Sequence, residues 1–163
     1  MTTLSDVRMA EIEQKAGSML TENQVERLPV RPDWLAERAG IKVSQKPLEG
    51  IKQGDYDGNV ISIDVNLGPR QKRYVTAHEL GHAVLEHKGR NACDTAASQT
   101  TEEREADWFA KALLLPRGSL GDAVERYRGK QVTAFQNLVE FVSSIFEVEE
   151  RIAYERLKEC GHL

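Results

Sequence analysis

This sequence has few cysteines and no long apolar segment. Cys93 and Cys160 are its two cysteines in 163 residues. Two cysteines are too few for a disulfide framework, and these two do not form a close metal-binding pair. No apolar run approaches the roughly 20 residues that a membrane-spanning helix needs, and the acidic N-terminus lacks the apolar centre of a secretion signal. We therefore expect a cytoplasmic protein with reduced thiols and no membrane contact.

An excess of basic residues is also lacking. The 22 lysines and arginines are outnumbered by 26 aspartates and glutamates, which gives a formal net charge of −4. Because nucleic-acid binding draws mainly on positive charge, direct binding is not expected, although some predicted helices have lengths suited to helix-turn-helix units. The length and the 40% hydrophobic content are typical of one globular domain with a substantial core.

The order of apolar and turn residues predicts an α+β fold that is mostly helical. β-branched residues alternate over Asn59–Val65, and a shorter run covers Ile41–Val43, so we expect a small sheet of about three strands. Asp33 is a candidate cap for a short helix that ends near Gly40. The other predicted helices lie within Leu4–Val25, Arg70–His87, Thr100–Pro116, Leu120–Tyr127, Val132–Ser143 and Glu149–Lys158.

Two of the 4 histidines lie in the run His78-Glu79-Leu80-Gly81-His82. On a helix these imidazoles lie one turn apart on the same face, which allows both to bind one metal ion. Glu79 lies about 100° around the helix, where its carboxylate can hold and activate a water at the metal. Apolar residues on both sides of this helix predict that it is buried. Gly81 costs about 1 kcal/mol relative to alanine, which close approach of a second backbone would explain.

A catalytic zinc ion usually has three protein ligands and one position open for water. The helix that follows Thr100 contains four candidate carboxylates, Glu102, Glu103, Glu105 and Asp107. Glu103 is explained by a capping box with Thr100, and Asp107 projects away from the apolar stripe. Periodicity does not separate Glu102 from Glu105. Glu105 is favoured because Glu102 lies in the first turn, where the helix dipole alone favours an acid.

Two segments in combination resemble the ImmA/IrrE-type metallopeptidases. The first is Tyr74–His87, which contains the two paired histidines. The second is Glu105–Pro116, which begins Glu-Ala-Asp-Trp-Phe-Ala and ends Leu-Leu-Leu-Pro. Weaker similarity is present at Leu35–Ile41 and in the tail that ends at Arg156-Leu157. The resemblance covers most of residues 28–160.

The resemblance implies that His78, His82 and Glu105 are zinc ligands and that Glu79 is the catalytic base. It implies a zincin-like domain with a small sheet packed on the metal-binding helix. We expect one metallopeptidase domain over 1–163, with an N-terminal helical extension (1–28), a catalytic core (29–116) and C-terminal helices (117–163). Nitrogen and carboxylate ligands also suit Mn²⁺ or Fe²⁺.

Members of the resembled family are typically intracellular regulators that cleave, or relieve repression by, helix-turn-helix repressors. The resemblance therefore implies an endopeptidase that acts on a repressor or antitoxin of a mobile element or stress-response system. The alternative is a metal-binding protein that sequesters such a partner without cleaving it.

Peptide hydrolysis also requires a second donor for the developing oxyanion. The candidates are Tyr74, Arg73, Tyr127 and His87, although packing or a surface position is the simpler interpretation of each. The thiolate of Cys93 could close the open position of the zinc ion, but a cysteine in such a loop is more often incidental. The predicted strand over Val60–Asp64 is a candidate edge for an extended substrate.

Overall fold

The computed structural model describes residues 3–87, 100–129 and 135–163. Within these ranges the chain forms seven α-helices and a three-stranded sheet, which confirms the predicted mostly helical α+β fold. The helices are α1 (Asp6–Glu22), α2 (Pro32–Arg38), α3 (Pro69–Val84), α4 (Thr101–Leu114), α5 (Arg117–Arg128), α6 (Leu138–Phe146) and α7 (Glu150–Glu159). The strands are β1 (Lys42–Lys46), β2 (Gly54–Asp57) and β3 (Val60–Asp64). Cys93 and the predicted helix start at Val132 lie outside the described residues.

None of the described helices is long and apolar enough to cross a membrane.

The three strands form one sheet in the order β1-β3-β2. β1 runs parallel to β3, with Val43 opposite Ile61, and β2 runs antiparallel to β3, with Tyr56 opposite Ile61. Ile61 and Ile63 are fully buried, as expected for alternate residues on one face of a strand. The prediction that Val60–Asp64 offers an edge is wrong, because this strand is the central one. Within the described part of the chain, β1 and β2 are the edges.

A side-chain cap marks the start of α4, whereas a proline marks the start of α2. The hydroxyl of Thr100 accepts the backbone N–H of Glu103 at 3.2 Å, which confirms the predicted start of α4. The prediction that Asp33 caps α2 is wrong. Pro32 occupies the first helical position, which its fixed φ favours, and Asp33 lies in the first turn, where its carboxylate pairs with Arg31 at 2.9 Å.

Helix α3 packs against α2, α4 and the strands β2 and β3. Ala77 and Leu80 are fully buried, which confirms the prediction of a buried helix. Gly81 lies where α3 and α4 come close together. A Cβ atom at this position would be 3.2 Å from the Cα of Ala106 and 3.1 Å from Cδ1 of Phe109. The absence of a side chain therefore permits the close contact between the two helices.

Helix α1 packs against α4 and forms an ion pair with α7. Ile12, Ala16 and Leu20 are buried and recur every four residues, so they form one apolar face. Glu13 pairs with the fully buried Arg156 of α7 at 2.7 Å. Helix α1 therefore belongs to the same packed core as α3 and α4.

Replacing Gly81 with alanine should lower the free energy of unfolding. Alanine gains about 1 kcal/mol in helix propensity, whereas overpacking against the backbone of Ala106 costs about 1–3 kcal/mol. We expect a net loss of about 1 kcal/mol in urea unfolding followed by circular dichroism. Gly17→Ala in α1 is the control, because an added Cβ there meets no atom within 4 Å. The control should be neutral or stabilising, and a Gly81→Ala protein stabilised as much as the control would contradict the close contact.

Candidate metal centre

Side chains from α3 and α4 converge on one point. Nε2 of His78 and Nε2 of His82 are 3.1 Å apart. The two carboxylate oxygens of Glu103 lie 3.2 Å from Nε2 of His78 and 3.3 Å from Nε2 of His82. Ligand atoms placed about 2.0–2.1 Å from a tetrahedral zinc ion are about 3.3 Å from one another. The spacing of these three groups therefore fits a single cation between them.

The surroundings of His78 favour positive charge. Burial lowers the pKa of His78, but hydrogen bonds to Asp107 and Glu103 outweigh burial and raise this pKa to about 9. Burial raises the pKa of Asp107, yet its hydrogen bond with His78 brings that pKa below the usual value. Partly buried carboxylates thus stabilise a cation at this point, and a divalent metal ion supplies such a charge.

Asp107 also orients the ring of His78. Its Oδ1 lies 2.8 Å from Nδ1 of His78 and accepts a hydrogen bond from the hydroxyl of Tyr74 at 3.0 Å. Burial, together with the negative charge of Asp107, raises the pKa of the Tyr74 phenol well above its ordinary value. With the proton of His78 on Nδ1, the lone pair of Nε2 faces the candidate cation position.

Asp107 projects away from the apolar stripe in the sequence pattern and was not favoured as a site residue, yet its carboxylate contacts His78. Asp107 lies four residues after Glu103 on α4, which is the same one-turn spacing that relates His78 and His82 on α3. Two such pairs on neighbouring helices face each other. This shared spacing is the signal in the sequence that would have selected Glu103 and Asp107.

Glu105, the carboxylate favoured from the sequence, faces other residues. Its Oε1 accepts from Nε of Arg8 at 2.8 Å, and its Oε2 accepts from Nη2 of Arg8 at 2.7 Å. Its Oε2 also lies 2.9 Å from Nε2 of His87. The hydrogen bonds from Arg8 lower the pKa of Glu105. The structure therefore brings Glu103, and not Glu105, next to the paired histidines.

Glu103 was assigned to helix capping because its position three residues after Thr100 fits a capping box. The cap does form, but it uses the backbone N–H of Glu103. The carboxylate of Glu103 reaches the two histidines of α3. One residue thus serves both purposes, because its backbone and its side chain have different partners.

Glu79 lies beside the start of β2. Its side chain is buried, as is His82 three residues later. A Cβ atom on Gly54 would lie 2.9 Å from Oε1 of Glu79 and would overlap with Cγ1 of Val75. Glycine at the start of β2 therefore leaves the space that the carboxylate of Glu79 occupies.

The four candidate oxyanion donors have defined partners. Arg73 donates to the backbone carbonyls of Val30, Phe146 and Glu147, and Tyr127 packs against an aromatic ring. These contacts favour a packing role for both. Tyr74 instead contacts Asp107, and His87 contacts His82, one of the paired histidines. These two are therefore the candidates that lie next to the candidate metal centre.

A family model described as the IrrE N-terminal-like domain, Peptidase_M78, matches residues 36–158. The chain belongs to this family. The matched range includes α3 and α4, and therefore all three side chains of the candidate metal centre. Membership confirms the resemblance that the two sequence segments indicated.

The chain is also similar to a solved structure described as a Mycobacterium tuberculosis transcriptional regulator. The TM-score is 0.64 and the identity is 20%, over 91% of this chain and 46% of that chain. At this identity the likeness concerns the fold alone. The chain spans about half the length of that protein. No curated protein matches the chain.

Replacing Glu103 with glutamine should weaken zinc binding more than about 100-fold, beyond what loss of an outer hydrogen-bond partner normally causes. The measurement is zinc competition against a chromophoric chelator. Glu102→Gln is the matched control, because Glu102 is an exposed acid in the same turn, and it should bind zinc as the unmodified chain does. Glu105→Gln should have a smaller effect than Glu103→Gln. The reverse order would restore Glu105 as the third ligand.

Replacing Gly54 with alanine should reduce peptidase activity while zinc content stays unchanged. The added methyl group would displace Glu79 and Val75, but none of the three candidate metal-binding side chains. A shift of the carboxylate of Glu79 by about 1 Å from its productive position costs on the order of 100-fold in rate. Activity and bound zinc are measured on the same preparation. Full activity in Gly54→Ala would show that this close contact does not position Glu79.

Proposed function

We propose that this protein is a zinc-dependent endopeptidase in which His78, His82 and Glu103 hold the metal ion. The observation that carries the proposal is the mutual separation of the three groups, 3.1–3.3 Å. Two imidazoles, one carboxylate and an open fourth position are the donor set of hydrolytic zinc sites. Membership of a peptidase family supports a peptide bond as the target.

Glu79 is the proposed general base. His78, His82 and Glu103 would hold a divalent cation, which would lower the pKa of a water and polarise the substrate carbonyl. Glu79 takes the proton of the attacking water and passes it to the leaving amine as the C–N bond breaks. Asp107 keeps His78 oriented throughout, because its carboxylate holds the Nδ1 proton.

The proposed substrate lies extended along β2. Within the described residues this strand pairs with β3 and its other side is an edge of the sheet. Gly54, at the start of β2, lies beside the carboxylate of Glu79. An extended peptide can add to a sheet edge through main-chain hydrogen bonds. Such a peptide would pass next to the proposed base.

The proposed target is a cytoplasmic protein, a helix-turn-helix repressor or antitoxin of a mobile element or stress-response system. The resemblance to ImmA/IrrE-type metallopeptidases supports this class of target. The structural neighbour described as a transcriptional regulator agrees with it. Because that description names regulation and not cleavage, sequestration of the partner without proteolysis is the second candidate function.

Replacing Glu79 with glutamine should abolish cleavage and leave zinc bound. Loss of a general base lowers kcat by roughly 10²–10⁴-fold, whereas the three groups that hold the metal are unchanged. Cleavage is followed by mass spectrometry with repressors encoded beside the gene as substrates, and zinc is measured on the same samples. The exposed Glu102→Gln variant is the control and should cleave normally. Cleavage by Glu79→Gln at the unmodified rate would exclude this residue as the base.

The same variant separates cleavage from sequestration. If proteolysis is the function, Glu79→Gln produced in cells should fail to relieve repression although it still binds zinc. Full relief of repression by this variant would reject the peptidase proposal in favour of sequestration.

A further inference from the structure

A continuous path of polar contacts connects His82 with helix α1. Nδ1 of His82 is 2.9 Å from Nδ1 of His87, and Nε2 of His87 is 2.9 Å from Oε2 of Glu105. Both carboxylate oxygens of Glu105 accept hydrogen bonds from Arg8, at 2.8 and 2.7 Å. We call His87, Glu105 and Arg8 the relay. Arg8 lies outside the range 36–158 that the family model matches.

We propose that the relay fixes the tautomer and the ring orientation of His82, so that helix α1 strengthens the metal centre. His87, Glu105 and Arg8 are thus positioning residues. The inference rests on the proposed function in one respect, which is that Nε2 of His82 binds the metal ion.

The hydrogen positions along the relay follow from this one assumption. A metal ion takes the lone pair of Nε2 of His82, so the ring proton of His82 lies on Nδ1. This N–H donates to Nδ1 of His87, which must therefore be unprotonated. His87 then carries its proton on Nε2 and donates it to Glu105. The opposite tautomer of His87 would place two N–H groups against each other at 2.9 Å.

At the outer end of the relay, the guanidinium of Arg8 forms an ion pair with the carboxylate of Glu105. The carboxylate of Glu105 only accepts, and the guanidinium of Arg8 only donates, so their two parallel hydrogen bonds have one possible direction. The side chains of His82, His87 and Glu105 are 8%, 6% and 11% exposed, so water competes little for their polar atoms. Arg8 is 32% exposed, and its second partner is the exposed Glu11 at 3.1 Å.

The two histidines of α3 are therefore oriented by different routes. His78 contacts the carboxylate of Asp107 directly, and Asp107 belongs to α4. His82 reaches its carboxylate through His87, and that carboxylate is bound by α1. Metal-binding histidines commonly donate their second ring N–H to a carboxylate. The indirect route makes the orientation of His82 depend on the packing of α1.

The test is a zinc competition titration of the full chain and its variants. Arg8→Met and Glu105→Gln should each weaken zinc binding by roughly 10–100-fold. Arg8→Lys keeps the charge but loses the paired donors, so its affinity should lie between that of Arg8→Met and that of the unmodified chain. Glu11→Gln is the matched control, because it removes the exposed partner of Arg8 and leaves the relay intact. It should bind zinc normally.

Nuclear magnetic resonance of the imidazole protons separates positioning from a general loss of structure. The zinc-loaded chain should show a slowly exchanging Nδ1–H signal for His82. In folded Arg8→Met this proton should exchange faster, and in Glu11→Gln it should not change. An unmodified chain that binds no zinc would reject the proposed function itself. Zinc binding that is equally tight in the unmodified chain, Arg8→Met and Glu105→Gln would overturn the relay alone.

Discussion

The close contact of α3 with α4 at Gly81 is the constraint on which the candidate metal centre depends. Each helix carries a polar pair one turn apart, His78 with His82 and Glu103 with Asp107. The pairs meet only because Gly81 allows the backbone of Ala106 to approach so closely. A separation of 3.1–3.3 Å between proposed ligand atoms leaves little tolerance for movement of either helix. The packing of α3 against α4 therefore determines whether the proposed ligand atoms can bind one metal ion.

The electrostatics of this region follow from the same packing. Buried and partly buried acids surround two histidines, and a carboxylate removed from water is costly unless a partner compensates its charge. Asp107 is compensated by His78 and Tyr74, and Glu105 by Arg8. Helix α1 thus contributes the positive charge of Arg8, which compensates the carboxylate of Glu105 on α4. The acids nearest the paired histidines raise the pKa of His78, which is the same preference for positive charge that would hold a divalent cation.

Some features followed from short stretches of sequence and others did not. The buried helix with paired histidines, the cap at Thr100 and the small number of strands were predictable, because each depends mainly on residues close together in the sequence. The reason for glycine at position 81 lies in the contact of α3 with α4, which the sequence could suggest but not locate. The capping pattern at Thr100 correctly predicts the backbone contact of Glu103 but not the position of its side chain. The capping rule concerns the backbone of Glu103, and it left the destination of the carboxylate undecided. Glu105 was favoured as the third ligand because it lies beyond the first turn of the helix. The sequence pattern does not reveal that its carboxylate binds Arg8 of α1.

The sequence by itself determined that two imidazoles share one helical face and that Glu79 lies beside them, because the period of the α-helix sets those relations. Only the tertiary structure decided which acid of α4 faces the histidines and which faces α1. That choice depends on how α4 is rotated between its neighbours, and contacts such as Arg8 with Glu105, 97 residues apart, set the rotation. Local periodicity carries no information about contacts over such separations.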